Sequence, residues 1–311
     1  MKIIRHPDKE KLHRPVVALG TFDGVHIGHQ KVIRAAVAYA KKIKAHSAVI
    51  TFDPHPQEIV APERGLKILT TLKEREVLFA QLGVEGVIAT RFSEAIKNLS
   101  VEEFVKKYLV DKLGVRHVFV GYDYSFGKRR CGGVLELKKL GKEFGFGVTV
   151  IAPVKIKNRI VKSSEIRSFL SIGDVASASG MLGRPYAITG SVGRGNGRGK
   201  KLGFPTANLK VDPRKLIPAQ GVYAGLADNM KCVINIGSRP TFGSGPSLVE
   251  VHILNFHRNI RGNKMTVDFI YHLREEKQFT DARELVGQIK KDIVRAKGLC
   301  YNDCNGIKKR Y

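Results

Sequence analysis

Cysteine is scarce in this sequence. Four occur in 311 residues (Cys131, Cys232, Cys300 and Cys304), with no C-x-x-C pair and no histidine close to Cys300 or Cys304. That pattern predicts free thiols rather than a disulfide framework or a metal site. Long hydrophobic runs are missing: the longest are strand-sized, which predicts no bilayer-spanning segment. The first fourteen residues are charged and contain no apolar h-region, so no secretory signal is expected and the chain reads as cytoplasmic. Acidic residues are few, 28 against 54 Lys and Arg, giving a formal net charge of +26. Such a balance points to anionic partners: nucleotides, RNA or an acidic membrane face. The basic residues are nevertheless scattered along the whole chain, with no basic arm and no interleaved aromatics of the RNP kind. A lysine-rich solvated surface accounts for the excess equally well, so neither a specific nucleic acid nor a membrane is expected as partner.

What is present is an ordinary globular composition, 43% hydrophobic and 26% charged, over a length that suits two domains. The first half alternates strand-like and helix-like segments. Strands are expected at Val16–Gly20, Ser47–Phe52, Gly86–Ala89, His117–Gly121 and Gly147–Ile151. Helices are expected at Gln30–Lys44, Leu72–Leu82, Val101–Leu113 and Val134–Phe144. Leu72, Val77, Leu78 and Leu82 form the apolar period of the second, and Ser100 with Glu103 is a capping box for the third. This alternation predicts an α/β domain, a parallel sheet with helices on both faces, whose ligands bind at the carboxyl ends of the strands. From Tyr186 short alternating strands take over, separated by Gly/Pro/Asn turns: Ile188–Val192, Val222–Ala227, Cys232–Ile236, Leu248–Leu254 and Met265–Tyr271. They predict an antiparallel barrel or sandwich, closed by one long helix at Asp281–Lys297. Ser163–Gly183 reads as helical and links the two parts. The boundary falls near Leu182–Pro185, giving domains 1–182 and 183–311.

The densest local signal is Gly20-Thr21-Phe22-Asp23-Gly24-Val25-His26-Ile27-Gly28-His29, where an apolar run gives way to a helical pattern. A helix start attracts phosphate through its open N–H groups and its dipole. His26 and His29 can donate to phosphate oxygens, Gly24 and Gly28 permit close backbone approach, and Asp23 is a candidate Mg²⁺ or helix-start ligand. Lys162-Ser163-Ser164-Glu165-Ile166-Arg167 offers hydroxyls and a guanidinium at another helix start; the same pattern also describes a plain capped helix. Thr51–Pro56 is a proline-stiffened turn at a strand end, where His55 either lines a pocket or is incidental to the prolines. In the second half Gly193–Gly203, with Gly199 and Lys201, is either a phosphate-wrapping glycine loop or a flexible basic loop, and fits neither Walker A nor the Rossmann fingerprint. Thr206 and Asn208 behind it offer neutral oxygens suited to a hydrated Mg²⁺. Glu250 and His252 share one face of an alternating strand; Glu250 can look into a barrel interior or mouth as a base, or simply face solvent.

Taken in order, these motifs resemble the bacterial bifunctional riboflavin kinase/FMN adenylyltransferase (FAD synthetase) family along essentially the whole chain. G-T-F-D-G-V-H-I-G-H (Gly20–His29), F-D-P-H-P (Phe52–Pro56), G-Y-D-Y-S-F-G (Gly121–Gly127) and S-S-E-I-R (Ser163–Arg167) are similar to the adenylyltransferase half. L-G-F-P-T-A-N (Leu202–Asn208), G-V-Y-A (Gly221–Ala224), N-I-G-S-R-P-T-F (Asn235–Phe242), E-V-H-I-L (Glu250–Leu254) and L-R-E-E-K-Q-F (Leu273–Phe279) are similar to the kinase half. The resemblance implies a Rossmann-like nucleotidyltransferase domain followed by a riboflavin kinase barrel. It implies ATP as co-substrate with Mg²⁺, and riboflavin, FMN and FAD as substrates and products. It places His26 and His29 on the α-phosphate and Gly20, Thr21, Phe22, Asp23 and Gly28 around the nucleotide. Ser163, Ser164 and Arg167 fall on the rest of the triphosphate, and Asp123 beside the nucleotide or flavin. In the kinase half it makes Glu250 the base for the riboflavin 5′-hydroxyl and Thr206 and Asn208 the Mg²⁺ and ATP-phosphate ligands, with Gly199 and Lys201 on phosphate. His55 and Arg274 lie near the flavin. Lys162 and Ser164 depart from the family's I-S-S-T, and Asn255–Gly262 replaces D-F-x-x-D-L-Y-G, losing two acids and a tyrosine and gaining positive charge. Two alternatives follow: an adenylyltransferase whose degenerate kinase domain only binds flavin, and a basic RNA-binding or regulatory protein.

Overall fold

The computed structural model describes residues 2–4, 12–193, 199, 202–237 and 248–307. Contacts divide the chain into two compact units, 1–163 and 164–311. The division falls earlier than the change of sequence pattern near Leu182–Pro185, so the helical stretch after Ser163 is counted with the second unit.

In the first unit β1 (Lys2–Ile4), β2 (Val16–Leu19), α1 (Ile27–Lys42), β3 (Ser47–Phe52), α2 (Pro56–Val60), α3 (Leu72–Gln81) and β4 (Gly86–Thr90) follow in order. Then come α4 (Glu94–Lys97), α5 (Val101–Phe104), β5 (His117–Gly121), α6 (Val134–Glu143) and β6 (Gly147–Ile151), with a small hairpin of β7 (Lys155–Ile156) and β8 (Arg159–Ile160). Strands β1 to β6 make one parallel sheet in the order β1-β4-β3-β2-β5-β6. Its central strands are buried on both faces, as apolar parallel strands must be when helices cover both sides. Alternation divides the core: Val17, Leu19, Ile50, Val118 and Val120 pack with Phe104, Leu109 and Leu137 on one face. Val16, Ala18, Val49 and Phe119 pack against Val32, Ile33, Ala36 and Ala40 of α1 on the other. Strand order reverses direction between β2 and β5, so the loop leaving β2 sits at the topological switch point where such sheets hold ligands.

Two helical expectations change in detail. The helix expected at Val101–Leu113 starts on its Ser100–Glu103 capping box, but after α5 it widens into a π-helical stretch, Val105–Asp111. On α3 three of the four expected apolar residues face the core, Leu72 buried and Leu78 and Leu82 packed against it, but Val77 is 59% exposed, and Arg75, Glu76 and Phe79 also face inward. The capping box of Thr71 and Glu74 fixes the start of this helix, and Arg75 is drawn inward by carbonyls at the sheet's end.

The second unit opens with two helices, α7 (Ser163–Ser171) and α8 (Val175–Leu182), where the sequence suggests one continuous segment. Gly173 (φ 78°) breaks them and Asp174 caps the second. The barrel strands are β9 (Tyr186–Gly193), β10 (Ala207–Val211), β11 (Gly221–Ala227), β12 (Met230–Gly237), β13 (Leu248–Ile253) and β14 (Lys264–Arg274). They close as β10-β13-β12-β11-β14-β9 with every neighbour antiparallel. Strand β10, not among the expected strands, is only five residues long and alternates Ala207, Leu209 and Val211 with Asn208 and Lys210. The final helix, α9 (Ala282–Ile307), lies on the outside. Tyr223, Ile234 and Val251, paired side by side, line the interior. Val222, Ala224 and Leu226 on the opposite face of β11 pack against Ala296 of α9.

Candidate functional site

In the first unit the loop after β2 is built from left-handed residues: Phe22 (φ 51°), Gly24 (φ 85°) and Val25 (φ 42°). Two buried features hold it. The Asp23 carboxylate, 2% exposed, accepts from the Leu69 and Thr70 amides and the Thr70 hydroxyl. The Gly24 amide donates to the same hydroxyl at 2.8 Å. Asp23, expected from the sequence to serve Mg²⁺, the helix start or the nucleotide, latches this loop to the segment before α3. Both its oxygens are turned into the protein. Replacing Asp23 with alanine is expected to destabilise the first unit by about 2–4 kcal/mol, since a buried charged acceptor and its donors lose one another. Denaturant unfolding at several Mg²⁺ concentrations checks it; a loss that grows with Mg²⁺, because only the native chain is stabilised by the ion, would return Asp23 to the metal.

His26 is the N-cap of α1, and its Nδ1 accepts from the His29 amide at 3.2 Å. A neutral ring that accepts at Nδ1 carries its proton on Nε2. The rings of His26 and His29 stack at 3.5 Å between centroids, and the Phe22 ring meets His29 edge-on at 5.3 Å. Gly28 suits this packing: a Cβ there would lie 3.1 Å from the His26 ring and press it by a few tenths of an ångström. The amides of Ile27 and Gly28, at the first two helical positions, have no carbonyl one turn back. A pair of stacked imidazoles beside the first amides of a helix is an arrangement that suits an anion.

The other expected residues fall as follows. Gly20 packs against the Phe22 ring and the Thr21 carbonyl accepts from Thr51. Ser163, the last residue of the first unit, donates from its hydroxyl to the Asp23 carbonyl at 2.9 Å. Ser164 and Arg167 follow on α7, Arg167 one turn on. His55 caps α2: its Nδ1 accepts from the Gln57 amide and its own amide donates to Glu58. Asp123 is exposed in the turn after β5, the strand beside β2.

In the second unit the register sets Glu250 directly opposite Asn208 on β10 and Asn235 on β12. Residues opposite one another share a face, so a carboxylate stands between two amides across three strands. This face is the outer one, because Val249, Val251 and Ile253 line the barrel; of the positions the sequence leaves open for Glu250, the interior one is excluded. His252, two residues on, donates from Nδ1 to the Pro205 carbonyl at 2.8 Å, and Phe204 packs edge-on against its ring. The F-P-T-A-N turn is thereby tied to the strand that carries Glu250. Thr206 is exposed, and its Oγ1 would lie 3.2 Å from a Cβ placed on Gly199. Lys201 and the end of N-I-G-S-R-P-T-F (238–242) lie outside the described residues. Arg274, expected beside the flavin, commits its guanidinium to Asp292 on α9, with N–O distances of 2.9–3.1 Å. It clamps helix to barrel. Asn255–Gly262 is a loop whose end is tied to β9 through Gly262 and Val192.

Among the described residues no cluster of three His, Cys, Asp or Glu could hold a metal. Thr206 and Asn208 fit Mg²⁺ only as neutral oxygens that leave most of the coordination to water and phosphate, which is how this ion usually binds. Two residues escaped the sequence reading. Arg75 looks like one more helix-surface charge, although it falls three residues after buried Leu72. Asp292 is 5% exposed on a helix otherwise rich in solvent-facing charge.

A phosphate-facing helix start at the switch point of a parallel sheet, with a carboxylate-bearing barrel on the same chain, defines a two-unit nucleotide transferase. The FAD synthetase family matches residues 8–165, and the riboflavin kinase family matches residues 182–300. The chain is 38% identical over 283 residues to the bifunctional riboflavin kinase/FMN adenylyltransferase of Listeria monocytogenes, covering 89% of this chain and 90% of that protein. It is 36% identical over 304 residues to the protein of that name from Buchnera aphidicola, covering 94% and 97%. A crystal structure described as a macrolide-efflux protein from Streptococcus pneumoniae is similar with a TM-score of 0.85 at 29% identity, covering 95% of this chain and 98% of that one. No described helix here is long and apolar enough to cross a membrane. The chain belongs to the bifunctional riboflavin kinase/FMN adenylyltransferase family and carries both of its domains.

Proposed function

We propose that the chain performs two successive ATP-dependent steps, riboflavin to FMN in the kinase domain and FMN to FAD in the adenylyltransferase domain, with the functional division at 182/183. The observation that carries this reading is the stacked His26–His29 pair at a helix start, on the same chain as the Asn208–Glu250–Asn235 row. In the first reaction the Glu250 carboxylate takes the proton of the riboflavin 5′-hydroxyl. The freed oxygen attacks the γ-phosphorus, and ADP leaves. Thr206 and Asn208 hold the triphosphate, and His252 keeps their turn in place. Mg²⁺, bound mainly through phosphate, neutralises charge on the transferring group. In the second reaction an FMN phosphate oxygen attacks the α-phosphorus of ATP and pyrophosphate leaves. A phosphate nucleophile needs no base, so the protein positions groups and stabilises charge. His26 Nε2 and the His29 ring donate to the α-phosphate oxygens, while Ser163, Ser164 and Arg167 take the leaving pyrophosphate. His55 and Asp123 border the flavin side. The cytoplasm, where ATP is abundant, is the expected compartment.

The test is to incubate the protein with riboflavin, ATP and Mg²⁺ and to separate the flavins. FMN and FAD are both expected; absence of both overturns the reading. One observation favours a second reading. The exposed loop beside the kinase site has Asn255 and Asn259 where the family has acids, and carries His257, Arg258 and Arg261. A chain that converts supplied FMN to FAD but leaves riboflavin untouched is an adenylyltransferase with a flavin-binding barrel.

A further inference from the structure

A buried arginine joins the two loops of the first site. On α3 the guanidinium of Arg75, 3% exposed, reaches the carboxyl end of the parallel sheet. Nη1 donates to the Thr21 carbonyl and the Thr51 hydroxyl, each at 2.7 Å, and Nη2 donates to the Phe52 carbonyl at 3.1 Å. Nη2 also lies 3.8 Å from the Asp53 carboxylate. Thr51 in turn donates to the Thr21 carbonyl at 2.9 Å. One planar cation thus fastens the loop after β2 to the turn after β3. The first carries the histidines and the second carries His55.

The fastening leads on to the chemistry. Thr21 precedes Phe22, which is held in a left-handed conformation that L side chains seldom adopt without support. The Phe22 ring meets the His29 ring edge-on. A shift of the Thr21 carbonyl therefore moves Phe22, and Phe22 sets the position of His29. A lysine cannot replace the fork: its ammonium is a single point on a flexible stem and cannot serve two loops in one plane. We propose that Arg75 is the positioning residue of adenylyl transfer, holding the 20–29 loop and its histidine pair in register with the 51–55 turn, without itself touching substrate. The inference rests on the adenylyltransferase reading of the first unit.

The test uses the full-length chain with Arg75→Met and Arg75→Lys. FAD formation from supplied FMN and ATP is measured under steady-state conditions, with riboflavin phosphorylation by the same samples as an internal comparison and thermal unfolding to confirm folding. A misplaced donor costs turnover rather than binding, and displacements near 1 Å cost about a hundredfold. The Met variant is expected to lose about 30- to 100-fold in kcat for FAD formation, with the KM for ATP within about threefold. The Lys variant is expected to recover part of that loss, and riboflavin phosphorylation to be unchanged in both. The proposal is overturned by a folded Met variant that turns over within about twofold of the native chain, or by a rise in KM at constant kcat, which would make Arg75 a ligand contact. It is equally overturned if both variants unfold, which would make Arg75 a stability residue only. A native chain that makes no FAD from FMN refutes the underlying reading instead, and the two failures are thereby told apart.

Discussion

Replacing His29 with alanine is expected to lower FAD formation from FMN by about 10²–10³-fold, the usual cost of one preorganised donor to developing charge. FMN formation from riboflavin should continue at the native rate. The two histidines are not equivalent in what they hold up. The His26 ring caps α1 through Nδ1 and packs under Gly28, so its removal costs the helix about 1 kcal/mol as well as a donor. His29 contributes only its amide to that cap, while its ring stacks on His26 and meets Phe22 edge-on. Removing the ring keeps the capping bond, the helix start and its open amides. His29→Ala is therefore the cleaner separation of chemistry from folding. Separating the flavins after incubation with riboflavin, ATP and Mg²⁺ reads it directly: FMN accumulates and FAD does not. A variant that loses both products argues against separate sites, and one that still makes FAD removes the imidazole from the α-phosphate.

The parts of this site that are legible in the sequence are those set by short-range rules. A glycine-rich stretch between an apolar run and a helical pattern announces the switch-point loop, and capping boxes such as Ser100–Glu103 mark helix starts wherever they occur. The structural parts played by Asp23 and Arg75 are hidden from the sequence for a common reason. Their partners lie 23 to 54 residues away, and no local pattern tells a buried carboxylate or guanidinium from a solvated one. The same limit applies to β13. Alternation establishes that Glu250 and His252 share a face, but only barrel closure, with α9 over the neighbouring strands, decides which face is inside. Arg274 follows the pattern: the motif that carries it is visible, whereas its pairing to Asp292 depends on where the last helix lies.

The outer-face position sharpens what Glu250 should do. A carboxylate inside a barrel lined by Tyr223, Ile234 and Val251 could reach no triphosphate. On the outer face it stands between Asn208 and Asn235, two residues from the His252 that ties down the F-P-T-A-N turn. Substrate hydroxyl and nucleotide can both approach it there. Glu250→Gln keeps the size and polarity of the side chain and removes only its ability to accept a proton. Riboflavin phosphorylation is therefore expected to fall by about 10²–10⁴-fold, the range assigned to a lost general base, while supplied FMN is converted to FAD at the native rate. The loss should appear in kcat with the KM for riboflavin little changed, because the base acts as the hydroxyl attacks and not as the flavin binds. A Gln variant that phosphorylates riboflavin normally would reduce Glu250 to a surface residue of the strand and leave the proton to solvent. Should the native chain itself fail with riboflavin while converting FMN, the altered Asn255–Gly262 loop becomes the cause to test. Restoring acids at Asn255 and Asn259 would then be the decisive repair, since these positions bear neutral amides where the family carries charge.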